Sequence, residues 1–481
     1  MKNAPSLDEV RKARTRRAET NLLEFVRQAW PTVEPGGRFV HGWHLEAIAE
    51  HLQAVSRGQI QRLVVNMPPR HMKSLAISVF WPCWEWTTRP GLKFMFTSYA
   101  QALSLRDSLK CRRLVASPWY QANWGQRVSF AGDQNCKHRY ETTAAGFRLA
   151  TSVGGLATGE GGDRVVADDP HSAAGALSSK RRVATLEWWD QVMSTRLNDP
   201  TTGAVVIVMQ RLHENDLSGH VLKQSGYVHL CLPAEYEGAK HFSTAAPKLG
   251  LHREDPRREP GAPLWPERFG REALDALKAA LGSYGAAGQL QQRPAPAAGG
   301  IFKREWWRFF REPPRFTRVI QSWDTGFKKG EANAYSVGQT WGEAENGFYL
   351  LDQIRERLEY PELKRAVLAF YEKHRPALVL VEDKASGQSL VQDLKRGSAL
   401  PLLGVAVAEG DKSLRAHTVS PLVEANKVFL PEVAPWVSDF LDELSRFPNS
   451  AFADQTDALT QALHNITAKK RYVSAERQHW N

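Results

Sequence analysis

Between residues 60 and 210 the chain repeats one pattern: a short unbroken apolar run, then a stretch of helical character. The runs are RLVVNMP (62–68), KFMFTSY (93–99), DRVVADD (163–169) and GAVVIVMQ (203–210). A strand with one wet face alternates apolar and polar residues, whereas an unbroken apolar run suits a strand buried on both faces. Such strands, separated by helices, argue for a mostly parallel, doubly wound α/β sheet. The texture breaks at GAAGQLQQRPAPAAGG (285–300), which is rich in Gly, Ala and Pro and reads as a boundary or linker.

Beyond the break the pattern differs. RVIQSWDTG (318–326), AYSVGQTWG (334–342) and GFYLLDQIR (347–355) read as consecutive strands, with Asn346-Gly347 as the hairpin turn between the last two. A helix over 361–374 follows, with Pro361 in its first turn. Then come a strand ALVLVEDK (377–384), a helix GQSLVQDLKR, a strand LLGVAVA (402–408) and a closing helix DQTDALTQALHNITA (454–468). Antiparallel strands followed by alternating helix and strand make a second, mixed α/β sheet.

Composition narrows the partner class. The 481 residues are 42% hydrophobic and 24% charged, which is globular and not disordered. The formal net charge of +11 suits a polyanion, and would equally serve solubility. Arg11, Lys12, Arg14, Arg16 and Arg17 cluster near the start, as a helical arm on nucleic acid or as a solvated face. Cys83, Cys111, Cys136 and Cys231 form no CxxC pair, so reduced thiols in a cytoplasm are expected and not a zinc site or a disulfide framework. No secretory signal and no 18-residue apolar span is expected.

Two constellations carry chemistry. The strand LVVNM enters PPRHMKS and then a helix, LAISVFWPCWEW, which is the layout of a phosphate-binding loop. Arg70, His71, Lys73 and Ser74 are the candidate nucleotide contacts: Lys73 for the β- and γ-phosphates, Ser74 for Mg²⁺, backbone N–H groups for the anion. Met67 and Met72 stand where GxxxxGK[ST] has glycines. Taken alone, this loop reads as a surface Lys with a Ser helix cap. RVVADDP (164–170) shifts the balance, because a strand ending in two acids supplies a metal-holding Asp168 and a catalytic Asp169. Gln210 and Arg211 end a third strand and could sense the γ-phosphate; Trp43 and His44 could meet the adenine, or simply pack.

The second constellation is acidic. Asp324 ends the first strand of the second half, Glu382 and Asp383 end LVLVED, and Asp454 and Asp457 lie three apart on the last helix. Strand alternation puts only one of Glu382 and Asp383 on the inner face, and Glu382 is the choice. Two carboxylates ~5 Å apart repel by about 3 kcal/mol at an effective dielectric of ~20, so a gathered cluster calls for cations. Hard oxygen ligands favour two Mg²⁺ or Mn²⁺ ions and in-line attack on a phosphodiester. Each acid by itself is equally a surface residue or a helix cap.

Taken together, VVNMPPRHMKS, RVVADDP, TRLNDPTTGAVVIVMQRLHENDLSG, LPAEYE, LWPERF, QQRPAPAAGGIFKREWW, QSWDTGFKKG, LVEDKASGQSL, DKSLRA and FADQTDALTQAL resemble the large terminase subunit of tailed bacteriophages, the branch with a PPRHxKS-type loop. The resemblance spans about residues 38–468. It implies a basic N-terminal arm (1–37), an ASCE/P-loop-type ATPase domain (38–290), a linker (291–315), an RNase H-like nuclease domain (316–470) and a tail (471–481). It implies ATP-driven translocation of double-stranded DNA into a procapsid and metal-dependent cutting of concatemers. The alternative is a helicase-like DNA-translocating ATPase with an inactive nuclease-like domain. The implied partners are double-stranded DNA, the portal and procapsid, the small terminase subunit and a homo-oligomeric ring, five-membered by expectation, in the host cytoplasm. The implied cofactors are ATP with Mg²⁺, and two Mg²⁺ or Mn²⁺ ions at Asp324, Glu382 and Asp457 with Asp454 as an extra ligand. Three departures stand out: Met72 for the glycine before Lys73, Asp169 for a glutamate, and Glu160-Gly161 where many terminases carry Arg-Gly. Arg148 and Arg164 are the nearest substitutes for that arginine. Lys303, Arg304, Lys328 and Lys329 are candidate DNA phosphate contacts.

Overall fold

A computed structural model describes residues 6–155, 159–238, 244–246, 251–253, 255–294, 300–325, 335–383, 385–406, 412–448, 450 and 452–477. The chain divides into two compact units, Met1–Pro296 and Ala297–Asn481.

The first unit begins with α1 (Leu7–Thr20), α2 (Leu22–Val33) and α3 (Trp43–Ser56). Then follow β1 (Arg62–Asn66), α4 (Trp81–Thr88), β2 (Lys93–Ser98), α5 (Gln101–Val115), α6 (Pro118–Trp124), β3 (Phe130–Asn135), β4 (Arg139–Thr142) and β5 (Phe147–Ser152). It continues through β6 (Arg164–Asp168), α7 (Ala173–Leu177), α8 (Ser179–Gln191), β7 (Ala204–Met209), α9 (Leu217–Val221), β8 (Val228–Cys231), a short pair β9 (Thr244–Ala246) and β10 (Leu251–Arg253), and α10 (Arg271–Gly285). The sheet order is β3-β4-β5-β2-β6-β7-β1-β8. From β5 to β8 every pairing is parallel; β3 and β4 add an antiparallel edge.

Alternation explains the unbroken apolar runs. Leu63, Val65, Phe94, Phe96, Val166, Val206 and Val208 join one core, while Val64, Met95, Val165, Ala167, Val205, Ile207 and Met209 join a second. Both faces of these strands are therefore covered, and each such buried side chain contributes about 1.5–3 kcal/mol. The segment expected as an arm is partly core: Leu22, Phe25, Val26, Ala29 and Trp30 of α2 are buried, while the arginines of α1 stay outside. The helix after the phosphate-loop stretch opens as a π-helical segment, Leu75–Phe80, before α4. Pro82 has no N–H to return to that turn, so the wider register omits nothing the chain could supply.

The second unit holds β11 (Arg308–Phe310), β12 (Arg318–Asp324), β13 (Ser336–Ala344), β14 (Gly347–Glu356), α11 (Tyr360–His374), β15 (Leu378–Glu382), α12 (Ala385–Gly397), β16 (Leu402–Val405), α13 (Lys412–Glu424), β17 (Val428–Pro431), α14 (Val437–Arg446) and α15 (Asp454–Arg477). Its sheet runs β11-β17-β14-β13-β12-β15-β16. β12, β13 and β14 form an antiparallel meander, and β15 lies parallel to β12. The hairpin turn falls one residue early, at Glu345–Asn346. Gly347 already pairs with Ala344, and a Cβ there would stand 2.3 Å from the Lys427 carbonyl oxygen. Part of the expected linker is core of this unit: Ile301, Phe302 and Trp307 are buried.

Candidate functional site

In the first unit β7 lies between β1 and β6, so the segments leaving the C-terminal ends of all three meet. Lys73 Nζ donates to Gln210 Oε1 at 2.7 Å and stands 3.2 Å from Asp169 Oδ2. Ser74 Oγ donates to Asp168 Oδ1 at 3.0 Å, and Ser78 Oγ, four residues on, donates to Oδ2 at 2.6 Å. Asp168 is buried, and burial together with Asp169 and Asp107 raises its pKa to about 7. Two acids packed this tightly carry more negative charge than Lys73 cancels, and a serine hydroxyl beside a crowded carboxylate is a hard-oxygen donor set suited to Mg²⁺.

The loop achieves this with an unusual backbone. Met72, in the glycine position, has φ +66°, and Arg70 has φ +65°. Left-handed conformation at a non-glycine residue costs about 1–2 kcal/mol. The Met72 side chain is buried against α2 and α3, which holds the residue in place.

Several expected contacts fall elsewhere. The His71 ring is 1% exposed, stacked on Phe269 at 4.6 Å, with Nδ1 2.8 Å from the Pro69 carbonyl oxygen. Burial lowers its pKa to about 4, so its ring is a neutral packing group turned away from solvent. His44 is fully buried against Trp265, its pKa pulled to about 3 by burial, and it is closed to an adenine. Arg70 is exposed. Arg211 turns from Lys73 to Asp216, both oxygens at 3.0 Å, while its N–H donates to Gln292 Oε1. Neither substitute arginine reaches the loop. Arg148 is wholly buried over Phe96, 3.6 Å from the ring centre, and Arg164 is locked to buried Glu85 at the opposite end of β6 from Asp168. Glu160 pairs with Arg139.

In the second unit the acids do converge. Trp323 is in register with Val381, so Asp324 and Glu382 close adjacent parallel strands side by side. α15 is tied across β12: Ser322 Oγ donates to the Ala458 carbonyl at 2.8 Å and Gln461 Nε2 to Ser322 Oγ at 3.0 Å. That contact brings Asp457, in the helix's first turn, to the same place. Asp324, Glu382 and Asp457 are each under 9% exposed. Burial, with Asp457 and Glu382 close by, pushes the Asp324 carboxyl well above its usual range; burial also raises Asp454, to about 6. Asp383 is exposed on the other side of its strand. Gly387 lets α12 close over this end, since a Cβ there would lie 1.8 Å from the Glu382 carbonyl oxygen.

In this unit the residues the sequence reading missed are basic. Lys412 Nζ lies 2.5 Å from Asp457 Oδ2. Arg415, one helical turn on, reaches Asp457 Oδ1 at 2.7 Å and Glu382 Oε1 at 3.5 Å. They sit in DKSLRA, where a basic helix start looks like any solvated face. Among the described residues no three His, Cys, Asp or Glu side chains are arranged to hold a metal ion. The acids are gathered; Arg415 bridges Glu382 and Asp457, and Lys412 adds a second cation on Asp457. Of the expected DNA contacts, Lys303 lies over Trp306 and Arg304 pairs with Asp442; Lys328 and Lys329 are outside the described residues.

The family model of the terminase RNaseH-like domain matches residues 321–466, the stretch that contains all four acids. The large terminase of a thermophilic bacteriophage superposes with a TM-score of 0.50 at 12% identity, covering 86% of this chain and 98% of its own. The chain has the fold of a phage terminase large subunit. Its first unit thus holds the mostly parallel sheet of that fold and its second the RNase H-like one. The bacteriophage HK97 large terminase also matches, at TM-score 0.36 and 11% identity over 92% of this chain and 98% of that one. The large terminase nuclease of thermophilic phage G20c with bound magnesium matches at TM-score 0.27 and 17% identity, over 35% of this chain and 98% of its own. No curated protein sequence matches. No described helix is long and apolar enough to cross a membrane.

Proposed function

We propose that this chain is the large terminase subunit of a tailed phage or prophage, hydrolysing ATP to drive double-stranded DNA into a procapsid and cutting concatemeric DNA with divalent metal. The observation that carries the reading is the meeting of Asp324, Glu382 and Asp457, from two strands and a helix, within a terminase RNaseH-like domain.

In the first unit Lys73, Ser74 and Asp168 would hold a magnesium nucleotide, which when bound supplies the phosphoanhydride and a Lewis acid. Lys73 is now neutralised by Asp169. With a phosphate on Lys73, Asp169 would be free to orient a water, and Gln210, on the same ammonium, would register the exchange. In the second unit Asp324, Glu382, Asp457 and Asp454 would hold the divalent pair, whose Lewis acidity suits phosphodiester hydrolysis. Lys412 must leave Asp457 before that carboxylate can ligate, and Asp324 must release the proton its surroundings favour. The reading brings with it a portal and procapsid, a small terminase subunit, a homo-oligomeric ring, five-membered by expectation, and the host cytoplasm.

Lys412 and Arg415 favour a second reading, a DNA-translocating ATPase whose nuclease-like unit is silenced by its own cations. Plasmid nicking by the full chain in Mn²⁺, abolished by Asp324→Asn, supports the first; no nicking in any divalent metal, with Lys73-dependent ATP turnover intact, supports the second. ATP turnover unchanged in Lys73→Ala would remove the loop from both.

A further inference from the structure

The acids have a neighbour on the same sheet edge that the reading above does not use. Asp324 is in register with Val337 on β13, and Val337 with Arg355 on β14. One row therefore crosses the sheet as Glu382, Asp324, Val337 and Arg355. Just before β13, Tyr335 carries two guanidinium groups against one ring, Arg355 at 4.4 Å and Arg357 at 4.6 Å from its centre. Phe452, two residues before α15, meets Tyr335 edge-on at 5.2 Å and is 39% exposed.

Charge on this platform does not balance. Arg355 has a carboxylate, Glu443, at 3.3 Å. That carboxylate is shared: it also accepts from Gln455 Nε2 at 2.8 Å and from the Thr456 N–H at 3.1 Å. Arg357 is exposed, and among the described residues no carboxylate pairs with it. Two like charges on one ring repel each other, and an anion held between them relieves that repulsion. An exposed aromatic beside them offers a face to a nucleobase or a sugar. Arg355 stands beside Asp454 and not among the three inner acids, so an anion on this pair would be held next to the cutting centre and not in it.

We infer that Tyr335, Arg355, Arg357 and Phe452 form a DNA-strand platform of the nuclease unit: Arg357 takes a backbone phosphate flanking the one to be cut, and Phe452 packs on the adjoining sugar or base. This rests on the nuclease reading for its purpose but not for its test. The full chain is titrated against a fluorescent 30-base-pair duplex and a single strand of the same sequence, by anisotropy in Ca²⁺. Arg357→Gln is expected to weaken binding ~5-fold and to reduce the slope of log K against log salt by about one. Arg357→Lys retains most of the affinity. Phe452→Ala weakens single-strand binding several-fold, by loss of stacking. Thermal melts confirm that each variant is folded. Wild-type affinity and salt slope in Arg357→Gln overturn the platform. Absence of cutting in Mn²⁺ with these binding losses intact overturns the nuclease reading and leaves the platform standing.

Discussion

Replacing Met72 separates backbone strain from side-chain packing. The residue holds φ +66° and a buried side chain that shares a small apolar cavity with Leu22, Leu45, Ile48 and Ala76. Met72→Ala keeps the left-handed backbone and removes the packing, at about 2–5 kcal/mol. Met72→Gly loses the same packing and somewhat more unfolded-chain entropy, about 0.4–1 kcal/mol, but releases the ~1–2 kcal/mol held at positive φ. At an ordinary position alanine is the more stable of the two. Here the order inverts: Met72→Gly should exceed Met72→Ala by about 0.5–1 kcal/mol, although both fall below wild type. Urea unfolding of the full chain, followed by tryptophan fluorescence, reads the difference, which amounts to about 2 °C in melting temperature for a unit of this size. Alanine more stable than glycine by ~1 kcal/mol would refute the strained loop and the argument that packing holds it.

Three further outcomes follow. Asp168, raised from 3.8 to about 7, favours the folded protein when protonated; its contribution is full below pH ~4 and is lost as pH rises towards 7. The cost above pH 7 is on the order of 4 kcal/mol, so Asp168→Asn should melt higher than wild type at pH 8 and flatten the melting profile between pH 5 and 8. Gly387→Ala forces a Cβ to within 1.8 Å of the Glu382 carbonyl oxygen; it should cost about 1–3 kcal/mol by calorimetry and depress nicking while ATP turnover persists. Lys412→Gln removes a cation from Asp457, so half-maximal nicking should need about 3–10-fold less Mn²⁺; an unchanged or higher requirement would show that the lysine does not compete with metal.

The central strands were legible because burial on both faces leaves an unbroken apolar run, and β1, β2, β6 and β7 fall within the stretches that pattern marks. β3 and β4 were not, because a strand of an edge hairpin, such as β4 (Arg139–Thr142), buries only alternate residues over four positions. Asp168, Asp324 and Glu382 could be read because each carboxylate ends an apolar run, where ligands of such sheets gather. Ser78, Lys412 and Arg415 could not, since a hydroxyl or a base on a helix looks alike in solvent and in a site. His71 erred the other way: its neighbours in sequence suggested a phosphate, while Phe269 and Trp265, about two hundred residues downstream, claim its ring. Met72 looked like a lost glycine; only the backbone reveals that the glycine conformation was kept.

Asp324 and Glu382 are carried by strands that share a hydrogen-bonded ladder, so their separation is fixed by a repeat of ~4.8 Å and not by any loop. A centre gauged this way tolerates insertions in the connections above it and drifts little as the surface diverges. Only the third acid, on a helix held by Ser322 and Gln461, can be moved, which makes α15 the adjustable jaw of an otherwise fixed vice.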